Sequence, residues 1–177
     1  MMLAVVPMAA WCQKSTLNAT LRGIGPEVRV VVSNPIDGRL VPADTLIPDN
    51  KGQFKIERQT NGEPQFFVLS LTTEHSPLVH FMLMPKEKVT VEMEYHQNTN
   101  SVDMVRTKGS DNMKLYATYN RLATRAYHNK ETQAAMADSM EALIATNTNV
   151  LMSAFLVTYF ESAFDQYARC TRLWPTG

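Results

Sequence analysis

Between Leu17 and Lys108 apolar and polar residues alternate with a period of two, and from Ser110 onward the period becomes helical. This change constrains the fold more than any other feature. Strands first and helices after them predict an α+β fold by segregation, not the βαβ alternation of a parallel nucleotide-binding sheet. The expected architecture is an antiparallel β-sandwich or open barrel over residues 16–109, followed by a helical segment over 110–174.

Leu17, Ala19 and Leu21 alternate with polar residues and stop at Gly23. Val28, Val30 and Val32 follow, punctuated by Asn34-Pro35 and Asp37-Gly38. Residues 45–47 and the Phe54/Ile56 run flank the turn cluster Asp49-Asn50-Lys51-Gly52 and read as a hairpin, with Lys55 and Glu57 facing out. Residues 66–71 and 78–84 are almost continuously apolar, as strands covered on both faces are. Val89, Val91, Met93 and Tyr95 alternate again, and a last strand from Val102 ends at Gly109. Gly52 and Gly109 read as turn residues. Ser110 is a good N-cap, because its hydroxyl can accept a hydrogen bond from an otherwise unpaired helix N–H. Leu115, Tyr116, Tyr119, Leu122, Ala123 and Ala126 form one helical stripe; Met136, Met140, Leu143 and Ile144 form a second. Leu151, Ala154 and Phe155 begin a third, and Phe164, Tyr167 and Ala168 a short fourth.

The apolar run from Met2 to Trp11 is too short to span a bilayer and fits the centre of an export signal, although no Lys or Arg precedes it. Residues 1–12 read as a signal peptide cut after Cys12, which places the product in the periplasm or cell envelope. The alternatives are a buried N-terminal element and a lipid anchor on Cys12. The bulky Trp11 before that cysteine opposes the anchor. Lys plus Arg and Asp plus Glu both number 17, so no basic excess points to a nucleic-acid partner. No later run is apolar enough for a transmembrane helix. The two cysteines are Cys12 and Cys170; loss of the first leaves no internal disulfide.

Candidate chemistry is sparse. His80, Met82 and Met84 fall on one strand face and could hold a soft cuprous ion, with Glu92, Glu94 and His96 joining them if the two strands pair. The competing reading makes the methionines adaptable core filler. Glu94, Asp103 and Asp111 are carboxylates without a supporting motif. His75, His80, His96 and His128 lack metal-ligand spacing, and no nucleophile elbow or phosphate-binding glycine loop occurs. Asn18-Ala19-Thr20 matches a glycosylation acceptor, relevant only to a eukaryotic secretory route. These residues give no catalytic, cofactor-binding or metal site and no cofactor.

The order of features nevertheless resembles a family. An apolar leader ends Ala10-Trp11-Cys12-Gln13, and a first strand closes at Leu21-Arg22-Gly23. Gly52-Gln53-Phe54-Lys55-Ile56, Phe66-Phe67-Val68-Leu69 and Phe81-Met82-Leu83-Met84-Pro85 follow in turn, and Gly109-Ser110-Asp111-Asn112 opens a helix. This order resembles the N-terminal domain of unknown function that precedes a thioredoxin-like domain in exported bacterial thiol–disulfide oxidoreductases and peroxiredoxin-like proteins. The resemblance covers about residues 1–165. It implies a non-catalytic accessory module that positions or assembles a redox partner domain, or self-associates through the helical tail. The family commonly has Pro-Gly where this chain has Pro85-Lys86, which leaves that turn type open. The Cys-x-x-Cys pair does not occur in these 177 residues, so the family's redox activity does not carry over. The other readings are a truncated front half of such an oxidoreductase, favoured by the atypical tail 169–174, and a small-ligand or metal-binding sandwich.

Overall fold

The computed structural model describes residues 13–128, 133–149 and 151–157. Eight strands form two four-stranded sheets. The strands are β1 (Gln13–Arg22), β2 (Val30–Ile36), β3 (Arg39–Leu46), β4 (Gln53–Thr60), β5 (Gln65–Leu71), β6 (Val79–Leu83), β7 (Lys88–His96) and β8 (Ser101–Lys108). One sheet has the order β4-β1-β7-β8 and the other β3-β2-β5-β6. Two helices follow, α1 (Asp111–His128) and α2 (Gln133–Thr146), and residues 151–157 form the described part of a third, α3. The fold is thus α+β, with the sheets preceding the helices.

Period-two alternation builds the core. Leu17, Ala19 and Leu21 of β1 and Val89, Val91 and Met93 of β7 are buried in the first sheet. Val30 and Val32 of β2, Phe67, Leu69 and Leu71 of β5, and Val79, Phe81 and Leu83 of β6 belong to the same hydrophobic cluster. The Phe67 and Phe81 rings stack with centroids 5.5 Å apart. Arg58 of β4 reaches across the layers, with its guanidinium 5.3 Å from the Phe67 ring centre and a hydrogen bond to the Asn34 side chain.

Pairing departs from the expected hairpin. The 45–47 and 54–56 runs are not a hairpin: β3 pairs with β2, and β4 with β1. The turn over 49–52 carries the chain from one sheet to the other. The physical reason is that a reversal fixes a change of direction, whereas the partner is chosen by where Phe54 and Ile56 can be covered, here beside Ala19 and Leu17. The true hairpin is β2–β3, closed by Asp37 and Gly38 with φ of 48° and 73°, as a two-residue turn of the primed type requires. Pro42 sits on edge strand β3 beside a register shift at Val32/Ser33, the kind of position to which proline is confined in sheets. β1 and β7 run parallel, the one parallel pair among the described strands.

Turn chemistry at the crossings is strained in one place and relieved in another. At Met84-Pro85-Lys86-Glu87 the Glu87 N–H donates to the Met84 carbonyl, and Lys86 has φ of 66°. Proline second and positive φ third is the type II pattern, which favours glycine at the third place. Gly109 has φ of 84°, and a Cβ there would collide with the Lys88 carbonyl.

Ser110 caps α1 as expected: its Oγ accepts from the Met113 N–H at 3.2 Å. Met113, Tyr116 and Tyr119 are buried, and Leu115 and Leu122 pack partly against the core. Met140 and Ile144 are the buried residues of the α2 stripe. The third stripe is shifted from its expected phase. Met152, Leu156 and Val157 are buried while Leu151 is exposed. Asn149 is the N-cap, its Oδ1 accepting from the Met152 N–H at 3.0 Å, which rotates Leu151 outward. The fourth stripe lies outside the described residues, as do Cys170 and residues 1–12. The side chains of Ala123, Ala126 and Met136 likewise fall outside them.

Two sets of variants check this geometry. Lys86→Gly should raise stability by up to about 1 kcal/mol, because left-handed strain is relieved against a loss of chain entropy. Gly109→Ala should lower it by more than about 1 kcal/mol. Ile56→Ala should cost about 2–4 kcal/mol and Lys55→Ala under about 0.5 kcal/mol in urea melts. Equal losses at 55 and 56 would show the β4 register to be wrong.

Candidate functional site

β5 and β6 are apolar on both faces. Phe67↔Phe81 faces the sandwich core, while Phe66↔Met82 and Val68↔His80 face the other way by strand alternation. On that outer face Val68 and Met82 are buried, His80 is partly buried and Phe66 is partly exposed. The helical layer supplies the cover. Phe155 of α3 lies 5.7 Å from the Phe66 ring, 6.5 Å from His80 and 5.6 Å from Tyr116 of α1, all as ring centroids. The Tyr116 hydroxyl is hydrogen-bonded to the His80 main chain. Burial raises the Tyr116 pKa above the ordinary phenol range and pushes His80 down to about 4. Both groups are therefore neutral near pH 7 and hold the layers together by packing. Leu78, two residues before His80, and Leu151, one helical turn before Phe155, remain about half exposed.

The cuprous-site expectation is only partly met in geometry. His80 and Met82 share the outer face, but that face lies under Phe155. Met84 sits beyond the end of β6, in the turn, where its carbonyl accepts from Ser15 Oγ at 2.7 Å. Glu92, Glu94 and His96 do not join it, because β6 and β7 belong to different sheets. The 84–87 turn is a crossing between layers, so adjacency in sequence does not become pairing. Instead His96 lies 3.2 Å from Asp103, and Glu92 lies between Arg22 and Arg106. Glu94 and Asp103 are opposite in register, while Asp111 is held by Lys114 at the start of α1. The three carboxylates are thus divided between a strand pair and a helix terminus. Among the described residues no group of three or more His, Cys, Asp or Glu side chains is placed to hold a metal ion.

Several open depressions mark the surface of the described residues, two of them bordered by several charged side chains. Loops around Gly23–Val28 and Pro48–Gly52 enclose a cleft of about 610 Å³ at one end of the sandwich, with Arg22, Asp49 and Lys51 on its wall. The Asp49 carboxylate is committed to the Lys51 and Gln53 N–H groups, each at 2.8 Å. A smaller groove of about 170 Å³ runs between β8 and α1. Among the described residues no helix is long and apolar enough to cross a membrane. No protein-family model matches the chain, and no curated protein matches it.

Burial of neutral His80 makes stability pH-dependent. Its folded pKa lies below the ordinary value of 6.5, so its contribution is complete above that value and is lost as pH falls toward 4. Between pH 7 and pH 4.5 the protein should lose roughly 2 kcal/mol through this group, and His80→Phe should remove that part of the loss. Urea melts at the two pH values measure it. An unchanged pH slope in the variant would show that His80 does not titrate beneath the helices.

Proposed function

We propose that this chain is a non-catalytic binding module of an exported thioredoxin-like protein, and that it positions or assembles the redox partner domain through its helical face. The observation that carries the reading is three exposed apolar side chains, Phe66 of the aromatic cluster, Leu78 two residues before His80 and Leu151 one helical turn before Phe155, exposed by 37%, 52% and 48%. Single exposed apolar side chains are ordinary, but several flanking one cluster mark an interaction surface. The order of strands and turns that resembles the N-terminal domain of exported thiol–disulfide proteins supplies the class of partner. On this reading residues 1–12 are an export signal. Redox turnover belongs to the partner domain.

Sedimentation of the isolated chain tests the surface. It should self-associate with a Kd in the micromolar range or tighter, the helical face substituting a second copy for the partner domain. Leu78→Gln with Leu151→Gln should shift the equilibrium at least about tenfold toward monomer, with stability within about 1 kcal/mol of the parent. A clean monomer at about 100 µM would overturn the surface, the affinity scale then being millimolar at best. Reductase turnover of insulin by this chain alone would overturn the accessory role.

A further inference from the structure

Each sheet ends in two edge strands, β4 and β8 in the first and β3 and β6 in the second. The outer row of N–H and C=O groups on such a strand accepts a further strand unless something covers or interrupts it. α1 packs against both β8 and β6. β3 is interrupted by its own residues. Pro42 has no N–H, the register shifts beside it, and the Thr45 N–H is taken by Asp44 Oδ1 at 2.8 Å. β4 has no such interruption. It runs for 8 residues without proline, glycine or register shift, and β1 is its one strand partner among the described residues.

The hydrogen-bond phase of β4 follows from its first turn. The Leu21 N–H donates to the Gly52 carbonyl at 2.9 Å, one step beyond the Thr20↔Gln53 pair. Antiparallel bonds recur at every second residue. Phe54, Ile56 and Arg58 therefore bond to β1, while Gln53, Lys55, Glu57 and Gln59 turn their main-chain groups outward. Thr16, opposite Glu57, agrees with this phase: its N–H donates away from β4, to the Glu87 carbonyl just before β7, at 2.8 Å. Asp49 satisfies Gln53, its Oδ1 accepting from the Gln53 N–H and its own N–H donating to the Gln53 carbonyl. Lys55, Glu57 and Gln59 are left as the open edge, and all three are exposed.

We propose that β4 pairs antiparallel with β4 of a second copy, about a two-fold axis at Ile56, so that the first sheets of the two copies become one continuous sheet. In this register Lys55 and Glu57 of each copy exchange main-chain hydrogen bonds with Glu57 and Lys55 of the other. The charges choose the register. Lys55 and Glu57 project from one face of β4, so each Lys55 stands opposite a Glu57, and opposite charges stabilise a cross-strand pair. Centring the axis on Glu57 instead would set two carboxylates against each other, which is destabilising. Lys55 and Glu57 also meet within one chain at 2.6 Å, so pairing joins two existing ion pairs into a network and leaves no ammonium without a counter-charge. An inward charge such as Arg58 can guard an edge. Here its guanidinium is held inside its own sandwich by Asn34 and the Phe67 ring.

The pairing uses none of Phe66, Leu78 and Leu151, so it is tested in the full chain carrying Leu78→Gln and Leu151→Gln, where the helical face is weakened. Sedimentation equilibrium should show a dimer with a Kd on the order of 1 mM or tighter. Hydrogen exchange at the Lys55 and Glu57 amides should slow as protein concentration rises. Lys55→Glu and Glu57→Lys each place like charges opposite one another and should each weaken dimerisation at least about fivefold. An equimolar mixture of the two variants restores opposite charges at both pairs and should recover the affinity of the chain without them to within about threefold. Exchange at 55 and 57 that does not change with concentration up to about 1 mM would overturn the pairing. A mixture that associates no more tightly than its components would overturn it as well. Dimerisation that leaves these two amides unprotected would assign the contact to another face and overturn it equally.

Discussion

Val68 and Met82 lie on the side of β5 and β6 that points away from the space between the sheets, and both are buried. A two-layer sandwich cannot satisfy them, because its outer faces meet water. Burying a side chain of this size is worth about 1.5–3 kcal/mol, so a third layer over these strands is strongly favoured. The helices are that layer. Met113, Tyr116, Met140, Met152 and Leu156 join the strands in one hydrophobic cluster. α1 also touches β8 and β6, edge strands of the two sheets, and so closes one lateral side of the sandwich. The helical segment is therefore a structural necessity for this sandwich rather than an appendage.

The same constraint organises the surface. Where the helices stop, the apolar outer face continues to Phe66 and Leu78, and α3 adds Leu151 through the rotation imposed by its Asn149 cap. Asn147 strengthens that start, since its side-chain amide donates to the Asn149 carbonyl and to Ser153 Oγ, each at 3.0 Å. A polar cap and an apolar margin thus sit side by side. This arrangement gives the helical face an orientation as well as an area.

Strand existence was legible because Leu17-Ala19-Leu21 or Val89-Val91-Met93 can bury one side only with period two. The double-sided apolarity of 66–71 and 78–84 announced the covering layer, and Ser110 announced its start. Pairing was not legible. Nothing local in Asp49-Asn50-Lys51-Gly52 distinguishes a hairpin from a crossing, because the choice rests on β1 and β7, distant in sequence. The phase of α3 was misread from its first apolar residue, whereas the Asn149 side chain sets the turn. Among the site residues, His80 and Met82 were correctly given one face, but their cover by Phe155 depends on the helices.

The parallel pairing of β1 with β7 has a kinetic side. Leu17 has Ile56 as one neighbour and Val89 as the other, roughly forty and seventy residues away. The first sheet therefore has a high contact order: its central strand can be enclosed only after most of the sandwich sequence has emerged. The hairpins β2–β3 and β5–β6 face no such delay, since each closes locally. Assembly would then start in the second sheet and finish with the capture of β1, on the millisecond-to-second scale typical of non-local β topologies. Until that capture β1 exposes Leu17, Ala19 and Leu21 along an unpaired strand, the form in which a chain is most open to aggregation and to chaperones.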